Sequence, residues 1–323
     1  MSRRQYEHVD PESFDRPRRH TRPRTKDRPT YDDAVDALVV TIDRGRFTCA
    51  VADRTVTAMK SRSLGRKAVV VGDQVRLVAD VSGRKDTLAR IVEVAERRTA
   101  LRRTADDDDP VERVIVANAD QLVIVTALAD PEPRVGLIDR ALVAAYDAGL
   151  TPILCLTKTD LASPDELLGV YRPLGVDSVS RRKDTEPSEL RARLSGHTSV
   201  LIGHSGVGKS TLVNALVPNA RREIGAVNAV TGRGRHTSTS AVMLALEDGW
   251  IIDTPGIRSF GLAHVDPDRL MAAFPDLEAC TESCPRGCTH SADEPECALD
   301  QEADPARVQS YRRLLAARTA PWA

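Results

Sequence analysis

The run Ser199-Val200-Leu201-Ile202-Gly203-His204-Ser205-Gly206-Val207-Gly208-Lys209-Ser210-Thr211-Leu212-Val213-Asn214-Ala215-Leu216 decides the architecture. A short apolar strand runs into Gly-x4-Gly-Lys-Ser, and the helical stretch Lys209–Leu216 follows without a break. That strand–loop–helix context is what a phosphate-binding loop requires. Its glycines let successive backbone N–H groups turn onto phosphate oxygens, and the helix N-terminus adds positive potential. Residues Gly203, His204, Ser205, Gly206, Val207, Gly208, Lys209, Ser210 and Thr211 are therefore candidate nucleotide contacts. Lys209 is placed to reach the β- and γ-phosphates and Ser210 to hold Mg2+. A chance match in a chain of this length is on the order of one in a hundred by average composition, so an ordinary glycine-rich turn is the weaker reading.

Outward from this loop, the strand-like runs Gln121–Ala127, Pro152–Thr157, Ser199–Gly203 and Trp250–Asp253 alternate with the helical stretches Leu137–Ala148 and Lys209–Leu216. Such alternation predicts βαβ units and a largely parallel sheet covered by helices, over residues 111–263. Asp253-Thr254-Pro255-Gly256 ends one apolar strand, supplying an acid for Mg2+ and a glycine whose N–H can sense a γ-phosphate. Thr157-Lys158-Thr159-Asp160 ends another and resembles the Asn-Lys-x-Asp motif of GTPases. There the aspartate accepts hydrogen bonds from guanine's ring NH and amino group, donors that adenine lacks. Threonine at position 157 offers a hydroxyl in place of an amide, which predicts a weaker tether between this loop and the phosphate loop. The guanine motif precedes the phosphate loop, the reverse of the usual order, so the domain reads as circularly permuted. Ser178-Val179-Ser180, between the two motifs, reads as a loop that closes over the base.

Between the phosphate loop and Asp253 lies Thr231-Gly232-Arg233-Gly234-Arg235-His236-Thr237-Ser238-Thr239, glycines, cations and hydroxyls without apolar periodicity. It reads as a switch loop in which Thr237 or Thr239 completes the Mg2+ shell. Many GTPases orient the attacking water with a glutamine just after the DxxG glycine. Here Ile257 stands there and can neither donate nor accept a hydrogen bond. Unaided hydrolysis is then expected to be slow, and His236 becomes the candidate catalytic group once a partner orders the loop. Contact with RNA phosphates is the other reading of His236.

From Val35 to Arg103 the texture is different: Ala37–Ile42, Phe47–Val51, Ala68–Val71 and Val75–Val78 are short β-branched runs separated by turn signals. They predict a small antiparallel barrel of OB type over residues 35–105. Arg62, Arg66, Lys67, Arg84 and Lys85 interleave with these strands, as a solvated face or an RNA contact would. Asp106–Pro110 marks the boundary with the sheet. Residues 1–34, with Arg16-Pro17-Arg18-Arg19 and Arg22-Pro23-Arg24, cannot repay the entropy of ordering and read as a disordered basic arm. Aromatics are only 3% of the 323 residues, so the cores must be aliphatic. No run approaches the roughly 20 apolar residues that span a bilayer, and no apolar leader opens the chain. These features predict a cytoplasmic protein without a membrane partner.

Four of the six cysteines lie between Cys280 and Cys297. Without an export signal such a cluster favours a metal over disulfides. Cys284, Cys288, His290 and Cys297 form a Cys3His set of the kind that closes a tetrahedral structural zinc site. Cys280 lies close by, and Cys284 is preferred as the first ligand because Pro285-Arg286-Gly287 makes a rigid knuckle. Residues 264–323 therefore read as a zinc-binding helical domain, closing with the amphipathic stretch Val308–Ala317.

Taken together, the barrel, the permuted motifs, Ala117-Asn118-Ala119-Asp120-Gln121 at the junction, Gly232-Arg233-Gly234-Arg235-His236-Thr237 and the terminal cysteine cluster resemble the RsgA family of small-ribosomal-subunit-dependent GTPases. The resemblance runs from about Val35 to Arg313. It implies a monomeric Mg2+-dependent GTP hydrolase with one structural Zn2+, which docks on the small (30S) ribosomal subunit through 16S rRNA, is stimulated by it and acts late in its maturation. The family usually spaces its first two zinc cysteines as Cys-x4-Cys, whereas Cys284 and Cys288 are Cys-x3-Cys. An RNA-binding scaffold with incidental hydrolysis and an ATP-dependent enzyme are the rival classes. Asp160 argues against the second.

Overall fold

The structure is a computed structural model that describes residues 31–65, 68–84, 86–104, 113–218, 241–254, 262 and 264–318. Residues 1–30 of the basic arm, Arg66, Lys67, Lys85 and the Asp106–Pro110 boundary lie outside the described residues.

Five strands form the barrel: β1 (Val35–Asp43), β2 (Arg46–Val51), β3 (Arg54–Lys60), β4 (Gln74–Ala79) and β5 (Ala89–Val94). Their order is β1-β2-β3-β5-β4, and β4 returns to pair with β1, so the sheet closes on itself. All pairings are antiparallel except β3 with β5, which is parallel. Closure removes the exposed edges that strands this short would otherwise present. Val39, Phe47, Cys49, Val56, Leu77 and Ile91 fill the interior. The expected strand Ala68–Val71 is not one, since only Val71 makes an isolated bridge, to Val116. A buried carboxylate takes the Val70 amide instead. Asp73, 0% exposed, accepts the Val70 amide at 2.8 Å, and Arg97 grips both of its oxygens at 2.7 and 2.9 Å.

The hairpin β6 (Ala100–Arg103) and β7 (Arg113–Ala117) leads into the main sheet. There follow β8 (Gln121–Ala127), α1 (Val135–Asp147), β9 (Thr151–Thr157), α2 (Asp165–Tyr171), β10 (Asp177–Arg181), α3 (Ser188–Leu194), β11 (His197–Ile202), α4 (Lys209–Leu216), β12 (Val242–Ala245) and β13 (Gly249–Asp253). The order β10-β9-β8-β11-β13-β12 is parallel except for the β12–β13 pair. Every residue of β8 is buried, as expected for a central strand covered on both faces. Ser178–Ser180 is not a loop but the middle of β10, with Ser180 opposite Leu156 and Arg181 opposite Thr157. Val179 alternates inward between the two serines, a period of two that suits a strand. A bridge from Val242 to Thr41 joins this sheet to the barrel.

After the sheet come α5 (Pro267–Ala272), α6 (Pro275–Cys280), α7 (Leu299–Glu302) and α8 (Pro305–Ala317). Helix α8 starts earlier than its apolar pattern because the Asp304 carboxylate caps the Arg307 amide at 2.9 Å and Pro305 suits the first turn. It lies along α1, where Tyr146, Phe274 and Tyr311 stack edge to face with centroids 5.1 and 5.6 Å apart. Neighbouring arginines on α8 reach different partners. Arg312 donates to the His290 carbonyl at 3.0 Å and grips Asp300, while Arg313 donates to Asp139 of α1 at 2.9 Å.

The motif Ala117–Gln121 is the junction between barrel and sheet. Asn118 donates to the Gly72 carbonyl at 2.9 Å and accepts the Arg98 amide at 2.9 Å. Asp120 accepts the Thr198 amide at 2.8 Å, and the Gln121 side chain accepts the Ser199 hydroxyl at 2.8 Å. Thr198 and Ser199 belong to β11, the strand that feeds the phosphate loop. Gly72, at φ +88°, packs so closely that a Cβ would lie 2.0 Å from the Ala117 carbonyl oxygen. Gly72→Ala is expected to cost about 3 kcal/mol or more, from positive φ and overlap together. A lowered denaturation midpoint in a thermal scan measures it, and an unchanged midpoint would refute the close approach.

Candidate functional site

Parallel strands bring the ends of β9, β11 and β13 to one mouth of the sheet, where the phosphate loop and Thr157–Asp160 follow β11 and β9. The phosphate loop closes tightly over β8: a Cβ on Gly203 would lie 2.5 Å from the Val125 carbonyl oxygen and 3.0 Å from a Val207 methyl. Val207 is fully buried and anchors the loop, whereas Ser205, Gly206, Ser210 and Thr211 face solvent. Gly208, at φ +90°, turns the chain into α4. His204 contacts the Ser205 carbonyl through Nδ1 at 2.8 Å, and its Nε2 is buried without a partner among the described residues. The Lys209 ammonium reaches the Asp253 carboxylate. The Thr254 hydroxyl donates to the Leu201 carbonyl at 2.7 Å and holds the end of β13 against β11.

Thr157 is the hinge of the site. Its buried hydroxyl lies 2.6 Å from the Val207 carbonyl oxygen and 3.2 Å from that of Thr126. One hydroxyl hydrogen serves one strong bond, and the shorter contact selects Val207. The tether between the two motif loops is thus a single hydroxyl hydrogen bond. Lys158, at φ +59°, sends its ammonium to the Asp130 carbonyl. The Thr159 amide donates to the Arg181 carbonyl at 3.4 Å, and Asp160 is exposed at the rim. Gly256, Ile257, His236, Thr237 and Thr239 lie outside the described residues.

Two supports were missed in the sequence. The Asp130–Pro131 turn receives Lys158, and Pro131 lies 3.4 Å from where a Gly206 Cβ would be. Its only signal is Asp-Pro-Glu-Pro between a strand and a helix. Arg181 reads as a surface cation in a polar run, yet it is buried.

Far along the chain, Cys284, Cys288, His290 and Cys297 converge with their ligand atoms all within 4.8 Å of one another. His290 Nδ1 lies 3.6, 3.5 and 3.8 Å from the sulfurs of Cys284, Cys288 and Cys297. Tetrahedral zinc with S and N ligands separates them by about 3.5 Å, so donors and spacing both fit. Burial, reinforced by the adjoining thiols of Cys297 and Cys284, pushes the Cys288 thiol up to about 11. Burial also lowers His290 below its ordinary value, which favours the neutral imidazole that metals bind. Cys280 instead directs its thiol to the Asp276 carbonyl at 3.4 Å and stands apart.

Fold and site together define a P-loop nucleotide-binding domain of permuted strand order, carrying a closed barrel before it and a Cys3His cluster after it. The family model for the RsgA GTPase matches residues 94–263. Among curated relatives, the small ribosomal subunit biogenesis GTPase RsgA of Pseudomonas aeruginosa is 42% identical over 264 residues, covering 77% of this chain and 76% of its own. That of Ectopseudomonas mendocina is 44% identical over 217 residues, covering 62% and 63%. The crystal structure of YjeQ from Thermotoga maritima superposes with a TM-score of 0.64 at 25% identity, over 90% of this chain and all of its own. YloQ, described as a circularly permuted GTPase, shares the fold with a TM-score of 0.64 at 23% identity, over 90% of this chain and 98% of its own. The chain belongs to the RsgA GTPase family and is a GTP-hydrolysing enzyme. That family implies use of Mg2+-GTP. No helix among the described residues is long and apolar enough to cross a membrane.

Thr157→Val keeps the shape and leaves the Val207 carbonyl without its donor. The expected loss is about 1–2 kcal/mol, seen as roughly tenfold weaker GDP binding; unchanged affinity would remove the tether from the site. For the cluster, Cys284→Ser should abolish stoichiometric metal in elemental analysis while Cys280→Ser retains it. The reverse pattern would exchange the first ligand.

Proposed function

We propose that the protein binds Mg2+-GTP at this mouth, docks on the small ribosomal subunit through 16S rRNA, hydrolyses GTP there and departs as a late maturation factor. The observation that carries the nucleotide reading is the Thr157–Val207 hydrogen bond, which couples a base-reading loop to a phosphate-reading loop. The partner comes from the relatives, which are named for small ribosomal subunit biogenesis.

On this reading Asp160 accepts guanine's NH groups, with Thr157, Lys158 and Thr159 shaping its loop. Gly203 to Thr211 wrap the phosphates, and Gly256 senses the γ-phosphate. Lys209 exchanges Asp253 for β- and γ-phosphate oxygens, which frees the Asp253 carboxylate for the metal shell. Ser210 and either Thr237 or Thr239 hold Mg2+. Held by these residues, Mg2+ would supply positive charge to offset the charge that develops on the phosphates. Ile257 leaves the attacking water without a guide, so His236 is the group that an ordered switch would bring to it. Cys284, Cys288, His290 and Cys297 hold one structural Zn2+. The division into a basic arm (1–34), barrel (35–105), GTPase domain (111–263) and zinc-binding domain (264–323), in a cytoplasmic monomer, accords with this role.

The test is GTP turnover titrated with purified small and large ribosomal subunits, for the wild-type chain and His236→Ala. Small subunits should stimulate the wild type and large ones should not. His236→Ala should bind subunits normally with stimulated turnover lowered roughly 10²-fold. Absence of stimulation would turn the reading to an RNA-binding scaffold, and rescue of His236→Ala by excess subunit would leave His236 a role in docking alone.

A further inference from the structure

The turn Arg182–Thr185 leaves the end of β10 at the same mouth as Thr157–Asp160. Register sets Arg181 opposite Thr157, and the Thr159 amide donates to the Arg181 carbonyl at 3.4 Å. The two turns are therefore stitched together by backbone.

Beneath the turn lies a guanidinium. Arg181 is only 8% exposed, and among the described residues no carboxylate pairs with it. Its fork is spent on the turn itself: Nε and Nη2 donate to the Thr185 carbonyl at 3.3 and 3.2 Å, and Nη2 to that of Lys183 at 3.3 Å. The far end of the turn is pinned separately. Glu186 pairs with Arg191 at 3.0 Å, and Arg191 also donates to the Leu216 and Ala215 carbonyls, at 3.0 and 3.1 Å, at the end of the phosphate-loop helix. A buried charge that finds only carbonyl oxygens is a costly arrangement, and what it secures is the shape of this turn.

In a trans peptide the C=O and the next N–H point in opposite directions. Drawing the carbonyls of Lys183 and Thr185 inward turns the amides of Asp184 and Glu186 outward, as donors beside the base loop. Guanine carries a carbonyl oxygen on its six-membered ring where adenine carries an amino group, so fixed amide donors there favour guanine and oppose adenine.

We infer that Arg181 is a positioning residue for base selection, holding the Arg182–Thr185 turn so that its amides face the guanine ring. This rests on the reading of Thr157–Asp160 as the base loop. Affinities for fluorescent GDP and ADP analogues, measured on the full chain, test it. Arg181→Met should weaken GDP binding about tenfold and leave ADP binding unchanged, narrowing the GDP/ADP ratio tenfold. Arg181→Lys, a point charge that can satisfy fewer carbonyls, should narrow it several-fold. A purely structural role would lower the melting temperature and leave the ratio alone. A ratio within twofold of wild type in Arg181→Met overturns the proposal, as it does in Arg181→Lys should the methionine variant fail to fold. Asp160→Asn separates the two readings: if it leaves GDP affinity unchanged, the base loop itself is misassigned. If it weakens GDP while Arg181→Met does not, only the role of Arg181 falls.

Discussion

Strand β11 is flanked by β8 on one side and β13 on the other, and neither of its hydrogen-bonding edges can stay open inside a sheet covered on both faces. That constraint organises the site. Neighbouring strands sit about 4.8 Å apart, so loops leaving their C-terminal ends crowd together whatever order the chain visits them in. The phosphate loop, the Asp253 strand end and the Thr157–Asp160 loop meet because their strands are neighbours or near neighbours in space. Circular permutation leaves this untouched, since a hydrogen-bonded ladder has no record of which strand was synthesised first.

The junction answers to the same strand. Asp120 and Gln121 both bond to β11, and Asn118 two residues earlier bonds to the barrel turn at Gly72. Three side chains within five residues thus bind the barrel and the phosphate-loop strand to each other through buried or half-buried polar groups. Polar bonds of this kind are directional and fix one orientation, where an aliphatic contact would tolerate several.

Much of this was legible in the chain. Gln121–Ala127 and Lys209–Leu216 stand where their patterns set them, because a central strand and a loop-capped helix carry strong local signals. The side chains of Cys284, Cys288, His290 and Cys297, grouped by the sequence, do converge in space. Ala68–Val71 misled because a β-branched run describes burial as well as pairing, and the Asp73 carboxylate had already claimed its amide. Ser178–Ser180 misled because serines suggest a loop, whereas the single inward Val179 between them was the informative residue. Arg181 and the Asp130–Pro131 turn were invisible for another reason. Their roles depend on partners brought by the fold, and no local pattern distinguishes a buried arginine from a solvated one.

Helix α8 bears Arg312 and Arg313 side by side, one holding the carbonyl of His290 and the other the carboxylate of Asp139. Successive helical residues diverge by about 100°, so this pair reaches two different neighbours of the helix at one level. The cysteine loop and α1 are therefore held by residues one peptide unit apart. Asp139 stands near the N-terminal end of α1, the end that follows the turn receiving Lys158. The terminal module is thus pinned to the same helix end from which the chain reaches back to the base loop.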